Sequence, residues 1–205
     1  MLLPLIRYIF TAFVPILLAP SAMAYLTSDF HVNAGGMEYK LKPGSSELTI
    51  SSTSLIDFSY NLNQDNLDMS FFLNFAETVS SSQGPLAYTH LATGLRYYPL
   101  GINGQRVIYD STTEGRLLKP SPFVSVAFGV SNFSVKDINS TEGYFNAVGY
   151  DVLVAGGVEV VLTSDIFLTG QLVIVQGIPT TNPQTQLSLS YSGMALLFGL
   201  KLTSF

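Results

Sequence analysis

The stretch from Leu187 to Phe205 alternates between two kinds of side chain. One set of alternate residues is strongly apolar: Met194, Leu196, Phe198, Leu200 and Leu202. The other set is small or charged except for Leu197: Gly193, Ala195, Leu197, Gly199 and Lys201. Side chains alternate between the two faces of a β-strand, so this period predicts one long strand with one apolar face. An unpaired apolar strand of this length would aggregate. We therefore expect it to pair with the first strand of its own chain and close a barrel.

The same alternation recurs in seven earlier segments, which are separated by turn-forming residues. The eight predicted strands cover about residues 29–41, 47–62, 67–78, 89–98, 123–135, 149–162, 166–176 and 187–205. Their polar faces are rich in Ser, Thr, Gly and isolated charges, whereas a solvent-exposed face would carry many more Lys and Glu residues. The pattern predicts an all-β fold, an eight-stranded antiparallel transmembrane β-barrel.

The first strand contains a change of phase at the glycine pair Gly35-Gly36. Before this pair Phe30 and Val32 occupy the apolar positions, and after it the apolar positions shift by one residue. A glycine pair at a change of phase predicts a bulge or a kink. This interpretation places Glu38 and Lys40 inside the barrel.

Composition supports the membrane-protein class. Of 205 residues, 47% are hydrophobic and only 11% are charged, and the mean hydropathy is +0.36. After residue 24, however, no apolar run approaches the ~20 residues that a transmembrane helix needs. High apolarity spread over alternating segments is typical of outer-membrane barrels.

Charge and cysteine content exclude several function classes. The net charge is −5 and the basic residues are scattered, which argues against nucleic-acid binding. The chain has no cysteine, so disulfides and thiolate metal sites are excluded. We expect no cofactor and no metal site.

Residues 1–24 have the features of a secretory signal peptide. Arg7 supplies the positive charge, residues 8–18 form the apolar region, and Ala22-Met23-Ala24 matches the small-x-small cleavage pattern. The alternative is a transmembrane anchor, but the apolar run is short and Pro15 and Pro20 interrupt it. The predicted barrel domain therefore spans residues 25–205. Residues 99–122 form an irregular insertion between the fourth and fifth strands, and no purpose for it follows from the sequence.

Taken together, these features resemble the small eight-stranded outer-membrane barrels of Gram-negative bacteria, the OmpA, OmpX and OmpW type. The resemblance rests on the eight alternating strands, the signal peptide, the alternately short and long connections and the terminal aromatic residue. The stretch PFVSVAFGVSNFSV followed by GYDVLVAGGVEVVLTSDIFLTGQLVIV is similar to the consecutive hairpins of that family. The resemblance implies that the protein is secreted across the inner membrane and located in the outer membrane, with both termini in the periplasm.

The same resemblance implies partners and an assembly signal. The partners are outer-membrane lipid, including lipopolysaccharide, and the barrel-assembly machinery, and the protein is expected to be a monomer. Phe205 would be part of the signal that this machinery reads. One departure from the family pattern is that Phe205 is in phase with Thr203 and Lys201 rather than with Leu202.

Several charged residues fall on the inward faces of the predicted strands. They are Glu38, Lys40, Asp57, Asp68, Arg96, Glu159 and Lys201, together with His31 and His90. An eight-stranded barrel has an interior just wide enough for side chains to fill, and buried charges are costly unless they are paired. We therefore predict a lumenal salt-bridge network with Arg96 at its centre, within reach of Glu159, Asp57 or Glu38. A path for protons or ions through the same groups is the alternative.

The predicted function is that of a non-enzymatic outer-membrane protein, structural or surface-interacting through extracellular loops. One alternative is a narrow channel or carrier for small apolar molecules, and a second is an enzyme that modifies lipid A. The His-x-Ser spacing of barrel deacylases is absent, because Leu91-Ala92 follows His90 and Val32-Asn33 follows His31. We therefore expect no catalytic residues.

Overall fold

The computed structural model describes residues 26–43, 48–64, 68–81, 86–102, 120–136, 144–163, 165–178, 180–181 and 188–204. The predicted signal peptide, residues 103–119 of the insertion and Phe205 lie outside these ranges. Within them the chain forms eight long strands and one two-residue strand: β1 (Leu26–Pro43), β2 (Leu48–Gln64), β3 (Met69–Ser81), β4 (Leu86–Tyr97), β5 (Ser121–Lys136), β6 (Tyr144–Val161), β7 (Ile166–Ile178), β8 (Thr180–Thr181) and β9 (Ser188–Ser204). The described residues contain no helix that is both long and apolar enough to cross a bilayer.

The eight long strands close into an antiparallel barrel. Strands β1 to β6 each pair with the next in chain order, β7 pairs with β9, and β9 pairs back to β1. In the closing pair, His31 lies opposite Lys201 and Val32 opposite Leu200. The two-residue β8 pairs only with the beginning of β9. The predicted fold, including the pairing of the last strand with the first, is confirmed.

Alternation along the strands separates an apolar outer face from a filled interior. In β9 the residues from Met194 to Leu202 that were assigned to the apolar face are exposed, and Ala195, Leu197 and Lys201 between them are buried. We call the end of the barrel where β1 begins and β9 ends the lower end, and the opposite end the upper end. These two names carry no assignment to a side of the membrane.

The predicted change of phase in β1 is wrong. Met37 and Tyr39 are buried, whereas Glu38 and Lys40 are exposed on the outer face, so the alternation that starts at Phe30 continues unbroken. The extra residue lies in the partner strand: Met37 pairs with Thr53 but Tyr39 pairs with Ile50, so β2 takes the bulge. Gly35 serves a different purpose, because a Cβ on it would lie 1.9 Å from the carbonyl oxygen of Leu196. It permits close contact between strands rather than a bulge.

The apolar band on the outer face has a polar upper boundary. In β1 it runs from Phe30 to Gly36, which is about 20 Å along the strand at ~3.3 Å per residue, and Glu38 lies just beyond it. In β3, β5 and β7 it ends at the exposed residues Glu77, Asn132 and Gln176. An outward apolar band with polar residues at its edge is what a transmembrane barrel presents to lipid.

The first residues of the predicted insertion fold against the lower end of the interior. Tyr98 and Ile102 are buried and pack with Phe123. Asp68, with a φ of 50°, holds this segment, because the amide of Tyr98 donates to its carbonyl oxygen (2.9 Å) and the amide of Ile102 to its Oδ1 (3.0 Å). At the other end of the insertion β5 begins at Ser121, so Ser121 and Pro122 belong to a strand. Residues 98–102 thus form a cap, which we call the lower cap.

Candidate functional site: the polar interior of the barrel

Polar side chains occupy the interior at three heights, and we name these groups the lower, middle and upper clusters. The lower cluster is centred on Lys201. Its Nζ lies 2.9 Å from Glu159 Oε2 and 3.2 Å from Asp29 Oδ2, and all three side chains are fully buried. The ammonium also lies 5.2 Å from the ring centroid of Phe167. A single cation on β9 therefore joins a carboxylate of β1 with a carboxylate of β6.

Arg96 lies in the same cluster but makes looser polar contacts. Its Nη1 is 3.5 Å from Glu159 Oε1 and 3.4 Å from His31 Nε2. The guanidinium carbon is 4.3 Å from the ring centroid of Phe123, a cation–π distance. Tyr98 of the lower cap donates its hydroxyl to the same Glu159 Oε1 at 2.9 Å. Arg96 therefore has a stacking role as well as an ionic one.

Asp29 is the second carboxylate of the lower cluster, and sequence reasoning missed it. His31 Nε2 lies 2.9 Å from its Oδ1, Asn63 Nδ2 donates to its Oδ2 at 2.6 Å, and Asn61 Nδ2 also donates to Oδ1. The alternation of the first predicted strand indicates an inward Asp29, because Asp29 is two residues from the inward His31 and begins that strand. A carboxylate with this many donors is well satisfied in a buried setting.

The middle cluster surrounds Asp57. Asn33 Nδ2 donates to Asp57 Oδ1 at 2.9 Å, and Asn74 Nδ2 donates to Oδ2. Thr169 in turn donates its hydroxyl to Asn33 Oδ1 at 2.6 Å. These residues lie in one row that crosses β7, β9, β1 and β2. In this row Thr169 pairs with Gly199, Gly199 with Asn33, and Asn33 with Asp57. The contacts of Asp57 in this cluster are therefore with neutral amides.

The upper cluster pairs His90 with Asp151, another residue that the sequence pattern did not single out. His90 Nε2 lies 3.0 Å from Asp151 Oδ1, and Oδ2 accepts hydrogen bonds from the hydroxyl groups of Ser131 and Tyr191, the latter at 2.8 Å. Gly129 leaves the space for this pair, because a Cβ there would lie 2.2 Å from His90 Nε2 and 2.6 Å from Asp151 Oδ1. The cluster therefore depends on a missing side chain on β5.

An aromatic layer packs against the upper cluster. Tyr39, Tyr88, Phe133 and Tyr191 are all buried, and successive ring centroids lie 4.7 Å, 5.2 Å and 4.8 Å apart. Gly149 and Gly177 accommodate the ring of Tyr191, since a Cβ on either would lie within 2.5 Å of it. The upper part of the interior is thus filled by rings packed against glycines.

The structure places the predicted lumenal residues in five different settings, one of which is the upper cluster that holds His90. Arg96, Glu159 and Lys201 come together in the lower cluster, with His31 beside them. Asp57 is buried but lies apart, in the middle cluster. Glu38 and Lys40 do not belong to the interior, because β1 keeps its phase. Asp68 is also outside the predicted network, because it lies in the turn before β3 and binds the lower cap.

The interior offers no arrangement that would activate a nucleophile within the part of the chain that the structure describes. Ser131 donates to Asp151 rather than to His90, so the imidazole does not act on the hydroxyl. His31 and His90 are 1% and 2% exposed, so no outside molecule reaches them. The described residues also include no group of three or more His, Asp or Glu side chains placed to hold a metal ion.

Three solved structures share this architecture. Neisserial surface protein A is 15% identical, with a TM-score of 0.53 over 84% of this chain and 96% of that one. OprG, an outer membrane protein of Pseudomonas aeruginosa, is 10% identical, with a TM-score of 0.50 over 88% and 97%. The outer membrane protease OmpT of Escherichia coli is 7% identical, with a TM-score of 0.52 over 87% and 97%.

Sequence identities this low support a shared fold and no shared function. The three structural neighbours include a surface protein and a protease. No protein-family model matches the chain, and no curated protein matches its sequence. The strand order, the closure of β1 on β9 and these neighbours nevertheless agree with one another. The chain therefore has the closed eight-stranded antiparallel barrel fold of the small outer-membrane proteins of Gram-negative bacteria.

Proposed function

We propose that this protein is a non-enzymatic component of the bacterial outer membrane, with a structural or surface-interacting role carried by its connecting loops. One observation carries the proposal: the interior is filled from the lower cap to the aromatic layer, while the outer face is apolar. A barrel filled in this way leaves no room for an organic ligand in its interior. Specific contacts with other molecules then fall to the loops at its ends.

The filled interior counts against the channel alternative. Any solute on the barrel axis would have to displace the aromatic layer and separate Lys201 from both of its carboxylates. Eight-stranded barrels in general leave an interior just wide enough for side chains. We therefore favour an anchoring role over conduction.

The burial of both histidines counts against the enzymatic alternative. One of the structural neighbours is a protease, so the fold alone is compatible with catalysis. In this chain, however, each histidine contacts one aspartate inside the barrel, His31 with Asp29 and His90 with Asp151. These pairs serve to satisfy buried charge.

The proposed partners follow from the same surfaces. The apolar band contacts outer-membrane lipid, including lipopolysaccharide, and the barrel-assembly machinery inserts the chain. Since β1 and β9 pair with each other, the barrel has no free sheet edge that calls for a second copy. We propose that the protein works as a monomer.

The test is to express the protein in a Gram-negative host, recover it from the outer membrane and measure ion conductance in planar bilayers. We expect a heat-sensitive folded band on gels and no conductance steps. A double variant, Phe133→Ala with Tyr191→Ala, thins the aromatic layer and serves as the control for detecting an opened lumen.

Steady conductance of the unaltered protein would contradict the proposal in favour of a channel. A change in lipid A mass on expression, or a peptidase activity lost in His90→Gln, would contradict it in favour of an enzyme. Recovery from a fraction other than the outer membrane would contradict the proposed location.

A further inference from the structure

The lower cluster balances its charges, and the upper cluster pairs its carboxylate with a histidine. In the lower cluster, Asp29 and Glu159 lie beside the two cations Lys201 and Arg96. His31 can donate to Asp29 and accept from Arg96, so it is accommodated there as a neutral ring. The upper cluster places Asp151 against a single histidine, His90.

The middle cluster has no such balance. Asp57 is 5% exposed, and each of its carboxylate oxygens accepts a hydrogen bond from a neutral amide, one from Asn33 and one from Asn74. Among the described side chains, no Lys, Arg or His forms an ion pair with it. Amide donors satisfy lone pairs but bring no opposite charge. A buried carboxylate without a counter-charge is costly in free energy unless it gains a positive partner or a proton.

A second, independent observation lies on the same strand. Ser59 and Asn61 are the next two inward residues of β2 after Asp57, and they are 3% and 0% exposed. Neither Ser59 Oγ nor Asn61 Oδ1 has a hydrogen-bond partner. Buried polar oxygens are almost always satisfied by protein groups, ordered water or an ion. Ser59 is therefore the inward neighbour of Asp57 with an unpartnered oxygen. Asn61 lies about 13 Å from Asp57 along the strand at ~3.3 Å per residue, and its Nδ2 donates to Asp29 in the lower cluster.

We propose that the barrel interior binds one small monovalent cation, with associated water, between Asp57 and Ser59 of β2. Hard cations prefer oxygen ligands, and these two residues offer a carboxylate and a hydroxyl. One carboxylate matches one positive charge, whereas a divalent ion would leave an uncompensated charge of its own. The cation neutralises Asp57, and the water completes the hydrogen bonding of Ser59 Oγ.

The experiment measures urea unfolding of the refolded protein in lipid vesicles at constant ionic strength and pH. Sodium chloride is exchanged stepwise for N-methylglucamine chloride, whose large cation does not fit between the strands. We expect sodium to raise the unfolding midpoint. At sodium a hundred times its dissociation constant, the unfolding equilibrium constant should fall about 100-fold. Thallium(I) soaked into crystals should give an anomalous peak beside the Asp57 carboxylate.

Matched variants separate this site from general salt effects. Asp57→Asn keeps the shape and removes the charge, so it should abolish the sodium response and the thallium peak. Ser59→Ala should weaken both, and this variant keeps the test decisive if Asp57→Asn refolds poorly. Glu77→Gln, which removes an exposed carboxylate from the outer face, should leave the response unchanged.

Two results would overturn the proposal. One is an unfolding midpoint of the unaltered protein that does not distinguish sodium from N-methylglucamine. The other is a midpoint that depends on pH but not on sodium and loses that dependence in Asp57→Asn, which would identify a proton as the counter-charge.

Discussion

Lys201, four residues from the end of the chain, makes the contacts that the sequence pattern assigned to Arg96. It lies 2.9 Å and 3.2 Å from two carboxylates, whereas Arg96 approaches one of them at 3.5 Å. A compact ammonium can lie between two acids, whereas the planar guanidinium stacks on Phe123. At the scale of single residues, the charge network is therefore organised around the closing strand β9.

The first prediction concerns this network. Lys201→Met should lower the free energy of unfolding by about 3–5 kcal/mol, because it leaves Asp29 and Glu159 buried without their shared cation. Arg96→Met should cost less, and combining Lys201→Met with Glu159→Gln should recover part of the loss. Urea unfolding in vesicles measures all three. Lys40→Met, on the outer face, is the control, and equal losses for Lys201→Met and Arg96→Met would contradict this account.

A second prediction at the residue scale compares two glycines. Gly129→Ala introduces a methyl group where His90 and Asp151 meet, so it should destabilise the barrel by about 1–3 kcal/mol. Gly36→Ala is the matched change on the outer face, where a Cβ meets nothing within 4 Å, and it should stay within about 0.5 kcal/mol of the unaltered protein. Unfolding midpoints decide the comparison. Similar effects at both positions would show that the upper cluster does not need the space at Gly129.

At the scale of strands, alternation decides whether a side chain faces the lipid or the interior. The position of a residue along its strand decides how deep in the apolar band it lies. Leu73 on β3 and Val126 on β5 are 50% and 45% exposed, both below the polar boundary that Glu77 and Asn132 mark on the same strands. Glu38 on β1 lies at the corresponding boundary of its own strand. The same outer face therefore offers positions in the middle of the band and at its edge.

This arrangement yields a depth-dependent prediction. Leu73→Arg and Val126→Arg should each cost about 2–4 kcal/mol at mid-bilayer depth, whereas Glu38→Arg should cost about 0–1 kcal/mol near the interface. Refolding into vesicles followed by urea unfolding measures the difference. If arginine is tolerated at Leu73 and Val126 as well as at Glu38, the outer band does not contact the hydrocarbon core.

At the scale of the whole molecule, closure depends on the contact between the first and last strands. The β1–β9 register runs from Ser28 opposite Ser204 to Pro43 opposite Leu189, so the seam is as long as any other strand pair in the barrel. Its interior side is held by the ion pair between Lys201 of β9 and Asp29 of β1. Opening the barrel would expose both the sheet edges and the buried charges.

The final prediction tests this closure on gels. The unheated protein in dodecyl sulfate should migrate as a compact band and shift on boiling, because a closed ladder has no edge from which to unravel. In Lys201→Met the shift should begin at a lower temperature, since the seam loses its interior contact. Identical migration with and without boiling would contradict a closed barrel in detergent.

The amino-acid sequence by itself determined the fold class, the number of long strands and the facing of most residues. These properties follow from the period of two, which is local to each strand, and from the need to cover long apolar edges. The same local pattern could have identified Asp29 and Asp151 as inward residues.

Only the tertiary structure decided where the β1–β2 pair absorbs its extra residue and which charges meet. The bulge lies in β2 rather than in β1, which places Glu38 and Lys40 outside, because the register of a pair is a property of both strands. Lys201 meets Asp29 and Glu159, and Asp57 meets only amides, because the stagger of the strands sets which inward residues share a height. Alternation within one strand carries no information about that stagger.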